Sequence, residues 1–265
     1  MTVAVRYAIK IAYDGTKFSG SQRQPDVRTV DGECLFVLKK IGAIKNPTES
    51  RYQSASRTDA GVSAVGNVIA LDTDIAKRAL PGSLNSAARD VWAWGLATVA
   101  DDFNARKARQ RWYRYYLPGN LDITTAMTAA GLFTGRHDFK WFTRVKANTV
   151  RIVDSIQVTR AGDFIAMDVR GQSFLWGMIR RIAACVQSYC LGEVELKMIN
   201  RVLAGEKGDF GLAPPEPLVL VDVDYGFEFE KVRSGKVEEE LSSCLQDSRL
   251  ALARWSLLSD KLSMK

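Results

Sequence analysis

Histidine is almost missing from this chain: His137 is the single one among 265 residues. The four cysteines, Cys34, Cys185, Cys190 and Cys244, include no pair at CxxC spacing. One imidazole and scattered thiols cannot assemble a zinc site. Buried thiols in a reducing compartment are therefore expected. Long apolar runs are absent as well, so nothing approaches the roughly 20 residues of a membrane helix. The N-terminus alternates apolar and polar residues where a signal peptide would carry an apolar block, which predicts a cytoplasmic protein. Acid is in deficit. The net charge is +7, yet Gly226 to Lys265 holds seven Lys/Arg and seven Asp/Glu, so the whole excess lies in residues 1–225. That favours a polyanionic partner without naming one. Length and an ordinary globular composition allow one large domain or two small ones with real cores.

The periodicities are mixed. Val3, Val5, Tyr7, Ile9, Ile11 and Tyr13 share one face of a strand over 3–13, and Arg6 and Lys10 stand on the other, which is expected to be wet and basic. Asp14-Gly15-Thr16 turns the chain, and the acid-free loop Phe18–Pro25, with Arg23 and Gln24, can approach phosphate. Val30, Cys34, Leu38 and Ile41 recur at helical spacing, with Thr29 as N-cap and Gly42 as stop. Strands are expected over 51–55, 67–73 and 91–100, with Pro81-Gly82-Ser83 breaking a helical stretch between the last two. Asp72 and Asp74 are expected to cap that helix. After Asp101-Asp102 the rhythm restarts. Strands are predicted over 111–117, 150–159, 163–170 and 218–225, and helices over 122–134, 173–191 and 194–205. An amphipathic helix over 237–258 carries Leu241, Leu245, Leu252 and Trp255. Two α+β halves with a boundary near 101–105 follow.

Two stretches carry chemistry. Ser54 to Ala64 is small and polar, with Gly61 suited to a tight loop and Arg57 two residues from Asp59. A guanidinium that close can hold and aim a carboxylate. Phe103 to Tyr116 holds Arg106, Lys107, Arg109, Arg111 and Arg114 without an acid, interleaved with Trp112, Tyr113, Tyr115 and Tyr116. Basic residues grip phosphates and rings stack on unpaired bases. Strand alternation sends half of those rings into a core in any case.

Arg57-Thr58-Asp59-Ala60-Gly61-Val62 resembles the catalytic loop of the TruA family of tRNA pseudouridine synthases. Arg111-Trp112-Tyr113-Arg114-Tyr115 resembles its second block, and Phe174 to Arg180 its third. Tyr13–Thr16, Gly20–Gln24 and Ala213-Pro214-Pro215 match its opening and closing patterns. The chain departs at Ser56, Ser63 and Ser21, where the family usually has glycine, histidine and often tryptophan. The resemblance implies Asp59 as nucleophile, Arg180 as its ion-pair partner and Tyr113 beside the target uracil. It implies Arg57 holding a flipped nucleotide, with Arg23, Gln24, Arg106, Arg109, Arg111 and Arg114 on RNA. It further implies a homodimer that isomerises uridines of the tRNA anticodon stem-loop, at positions 38–40. No metal or other cofactor is expected.

The expected fold is two similar ferredoxin-like α+β halves whose antiparallel sheets join into one extended sheet flanked by helices. Residues 1–104 would carry the aspartate loop, 105–225 the basic-aromatic strand and arginine helix, and 226–265 a helical tail. The alternatives are a non-catalytic RNA-binding protein on the same scaffold and a carboxylate glycosidase acting on small sugars.

Overall fold

A computed structural model describes residues 4–262. The elements, in chain order, are β1 (Val5–Tyr13), α1 (Val30–Lys40), β2 (Gln53–Ser54), β3 (Ser63–Thr73), α2 (Leu80–Ala87), β4 (Val91–Thr98), β5 (Gln110–Pro118), α3 (Ile123–Gly131), β6 (Gly135–Asp138), β7 (Val150–Val153), β8 (Ser155–Ala161), β9 (Phe164–Gly171), α4 (Met178–Cys190), α5 (Leu196–Leu203), β10 (Leu218–Asp224), β11 (Glu230–Lys231) and α6 (Gly235–Leu262).

Among the described residues one sheet runs β11-β4-β1-β3-β10-β5-β9-β8, with β2 added on β3. All pairs are antiparallel except β3 with β10, where Val219 faces Ser63 and Leu220 faces Ala64. This parallel seam joins a sheet built by residues 5–98, with 230–231 added at its edge, to one built by residues 110–224. Helices α1 and α2 pack by β4, and α3 and α4 pack by β8 and β5. The fold is α+β, with an extended, mostly antiparallel sheet flanked by helices. A small second sheet pairs β6 with β7.

Periodicity located β1 and α1 well. Val3 lies outside the described residues, but Tyr7, Ile9, Ile11 and Tyr13 are buried as the alternation requires. Thr29 caps α1 by accepting from the Gly32 N–H. The second face of β1 is not wet: Arg6 and Lys10 are each 4% exposed. Arg6 pairs with Asp72 at 2.7 Å and donates to the Phe103 carbonyl at 2.9 Å. Lys10 pairs with Asp222, donates to the Val223 carbonyl at 2.8 Å and lies 5.0 Å from the Phe229 ring centroid. Distant segments cover that face and bring the compensating charges, which buried cations require.

Other expectations change similarly. Asp72 holds Arg6 and Arg51, and α2 starts from Ala79 with no side-chain cap, so neither Asp72 nor Asp74 caps it. Pro81 opens α2 and does not break it, because an N-terminal turn needs no N–H there. The helix predicted from 173 starts at Met178, since Gly177 takes the left-handed conformation at φ 70° and ends the preceding loop. Of the thiols, Cys34 and Cys185 are buried, Cys190 is half-buried and Cys244 is exposed on α6. Leu241, Leu245, Leu252 and Trp255 of α6 are exposed too. No helix among the described residues is long and apolar enough to cross a membrane.

Candidate active site

The sheet seam creates the site. The loop holding Asp59 runs directly into β3, so it emerges where β3 meets β10. Tyr113 of β5 stands opposite Leu220 of β10, one strand across. The N-terminal turn of α4 supplies Arg180. Together with the 19–24 and 173–177 segments these line a cleft of about 1020 Å³.

At its floor, Asp59 Oδ2 accepts from Arg180 Nη1 at 2.8 Å and Asp59 Oδ1 accepts from Trp176 Nε1 at 2.7 Å. The carboxylate side chain is 23% exposed and the guanidinium 13%. Arg180 Nε donates to the Ala213 carbonyl at 2.8 Å, which aims the fork at Asp59. A half-desolvated ion pair with a second donor fixes both oxygens of the carboxylate. Tyr113 is 7% exposed and meets Phe174 edge-on, with centroids 5.6 Å apart. Burial pushes its hydroxyl above the ordinary tyrosine range, against the lowering influence of Arg111.

The loop is braced from three sides. The Ser21 amide donates to the Thr58 carbonyl at 3.0 Å, and the Thr58 amide donates to Ser21 Oγ at 2.7 Å. Tyr13 and Thr58 share a hydroxyl–hydroxyl bond of 2.8 Å, and Asn67 Nδ2 donates to the Ser56 carbonyl at 3.0 Å. Arg111 Nε donates to Ser56 Oγ at 2.8 Å, while its other nitrogens reach the carbonyls of Ala55, Arg106 and Gln172. The family-departing serines thus all make bonds; Ser63 Oγ accepts from the Gly15 amide at 3.0 Å.

The expected RNA-facing residues divide. Arg57 and Arg106 are exposed and line the cleft, and Gln24 lines it beside them. Arg23 and Arg109 are exposed but lie outside its lining. Arg57 bonds neither Asp59 nor any other described side chain; the partner of Asp59 is Arg180. Arg111 lines the cleft too, but it is only 8% exposed. Arg114 pairs with Asp168 through two bonds, 2.9 Å and 2.8 Å, so this one cation of the stretch is neutralised from β9, where Asp168 stands opposite Arg114. Tyr115 joins the core with Tyr113, whereas Trp112 and Tyr116 are half-buried, which is the alternation of a strand covered on one side. Trp176 and Ser21 carry site contacts that sequence reasoning did not assign, and Asp168 holds Arg114 outside the cleft lining. Trp176 and Ser21 stood inside quoted motifs; nothing local marked Asp168.

Over 265 residues the chain is 43% identical to the tRNA pseudouridine synthase A of Thermococcus sibiricus, covering 97% of this chain and 99% of the relative. The chain belongs to the tRNA pseudouridine synthase A family. The relative of that name from Pyrococcus horikoshii is 43% identical over 232 residues, covering 85% of this chain and 87% of its own length. A family model described as tRNA pseudouridine synthase matches residues 129–226, the stretch that holds Trp176 and Arg180. A solved Cbf5-Nop10-Gar1 complex overlays 67% of this chain and 44% of its own with a TM-score of 0.34 and 13% identity, too loose a likeness to add to this.

Proposed function

We propose that the protein isomerises uridine to pseudouridine in tRNA, with Asp59 as the nucleophile. The observation that carries this reading is the Asp59–Arg180 pair, 2.8 Å apart on the floor of an open cleft beside Tyr113, in a chain of this family. Making pseudouridine breaks a glycosidic N–C bond, turns the uracil and rejoins it through carbon. A charged carboxylate serves this chemistry by attack at the ribose carbon or at the uracil ring. Arg180 pairs with Asp59 and aims it. Tyr113 packs against the base, and burial pushes its hydroxyl above the ordinary tyrosine range.

The uridine has to leave its stack, at a cost of a few kcal/mol. Arg57, at the cleft rim, holds the extruded nucleotide, and Arg106, Arg109, Arg23 and Gln24 steer the backbone. Arg111 and Arg114 serve indirectly, by holding the loop and the strand. In this reading residues 1–104 present the nucleophile, 105–225 present the tyrosine and arginine, and 226–265 form a tail. The anticodon stem-loop as target, a cytoplasmic location and a homodimer belong to the same proposal. The exposed apolar face of α6 supports self-association.

Mapping pseudouridines in tRNA transcripts after incubation with the purified protein tests it. New pseudouridine in the anticodon stem-loop is expected. Tight tRNA binding with no product would replace the reading with that of an RNA-binding protein.

A further inference from the structure

Trp176 is out of place as a packing residue. It is 52% exposed, takes no part in the apolar core and lines the cleft. Its backbone is nevertheless fixed: Thr143 Oγ1 donates to the Trp176 carbonyl at 2.9 Å, and Gly177 turns the chain at φ 70° directly after it. The indole edge donates to Asp59 Oδ1 at 2.7 Å. Its face lies 5.5 Å from the exposed Arg144 guanidinium, which makes no ion pair among the described residues. Exposed Lys146 follows two residues later.

We propose that Trp176 and Arg144 form a stacking subsite for an unpaired RNA base next to the extruded uridine, and that the indole N–H ties this subsite to the position of Asp59. The ligand chemistry follows from the parts. An open indole face accepts any base, because every base has a π-face. A guanidinium already within cation–π reach of that indole extends the platform and reaches the adjoining phosphate. Trp176 is a positioning residue for the carboxylate through its edge and a binding residue through its face. A base seated on the ring holds the indole still, and the indole then holds the second carboxylate oxygen while Arg180 holds the first. The inference rests on Asp59 being the nucleophile.

The test is steady-state kinetics on a tRNA transcript for the wild type, Trp176→Phe, Trp176→Ala, Trp176→His and Arg144→Ala, with Asp59→Asn alongside. Phenylalanine keeps a stacking face and loses the donor. It lowers kcat about tenfold or more, the worth of a hydrogen bond to a charged group, and moves KM less than about threefold. Histidine restores a ring N–H and recovers part of that kcat. Alanine loses the face as well and adds a rise in KM of about tenfold, as expected for one lost base stack. Arg144→Ala raises KM more than it lowers kcat and reduces the salt slope of tRNA binding by about one charge. Wild-type kcat in Trp176→Phe overturns the positioning role, and wild-type KM in Trp176→Ala overturns the subsite. Activity retained in Asp59→Asn would instead defeat the underlying assignment of the nucleophile, so the two failures read differently.

Discussion

Arg111 donates to Ser56 Oγ at 2.8 Å and to the Ala55 carbonyl at 2.9 Å, from a position 8% exposed. A guanidinium from β5 therefore fastens the start of the loop that holds Asp59, and it faces carbonyls and a hydroxyl, with no carboxylate. Its donors are taken up by these oxygens although the residue lines the cleft.

Arg111→Lys should accordingly act as a loop mutation. Lysine concentrates its donors at one atom and cannot reproduce the fork. Carbonyls left without a donor cost about 2 kcal/mol of stability, read in urea unfolding. Turnover falls with it, because Asp59 is three residues beyond Ser56 in the clamped loop. The salt slope of tRNA binding stays at the wild-type value. A slope reduced by about one charge would mean that Arg111 touches phosphate.

Asp168 gives a pH signature. Burial pushes its carboxyl up, but hydrogen bonds from Arg114 and Trp112 outweigh burial and hold it below the ordinary carboxylate range. A carboxyl lowered by folding contributes stability that is complete above its unfolded pKa, about 3.9. That contribution disappears as pH falls through the folded value. Arg114 is 30% exposed, so solvent screens the pair and the effect is at the low end for a partly buried ion pair. Asp168→Asn should lose about 1–2 kcal/mol at pH 7. The gap to wild type should narrow in urea titrations below about pH 4. A gap independent of pH would show that the carboxylate charge contributes nothing.

Gly15 sits beneath the same loop. A Cβ built there would lie 2.1 Å from the Val62 carbonyl oxygen and 2.6 Å from the Ser63 amide nitrogen. Both are backbone atoms at the junction of the Asp59 loop and β3, so they cannot swing aside. Gly15→Ala should cost about 3 kcal/mol, the upper range for overpacking, and depress kcat through displacement of Asp59. Wild-type melting and turnover would show that the turn has slack.

The sequence made some of this visible and hid the rest for physical reasons. Strand β1, helix α1 and the Thr29 cap were legible because their signals are local. Pro81 was misread because proline suits a first turn as well as it disrupts an interior one. Arg6 and Lys10 looked solvated, and Arg114 looked free to grip RNA, because their acids, Asp72, Asp222 and Asp168, come from other strands. Asp59 and Arg180 are 121 residues apart, so no spacing argument pairs them, and only the resemblance of their two motifs brought them together. Trp176 went unassigned because an exposed tryptophan and a packed one look alike in a sequence.

The most direct test of the account is pseudouridine formation by Asp59→Asn on a tRNA transcript, with binding to the same RNA measured in parallel. Asparagine preserves shape and an acceptor for Arg180 but removes the negative charge. The account predicts no detectable pseudouridine while tRNA affinity stays within about threefold of wild type, since phosphate contacts dominate binding. Product formed at a rate near wild type would contradict it.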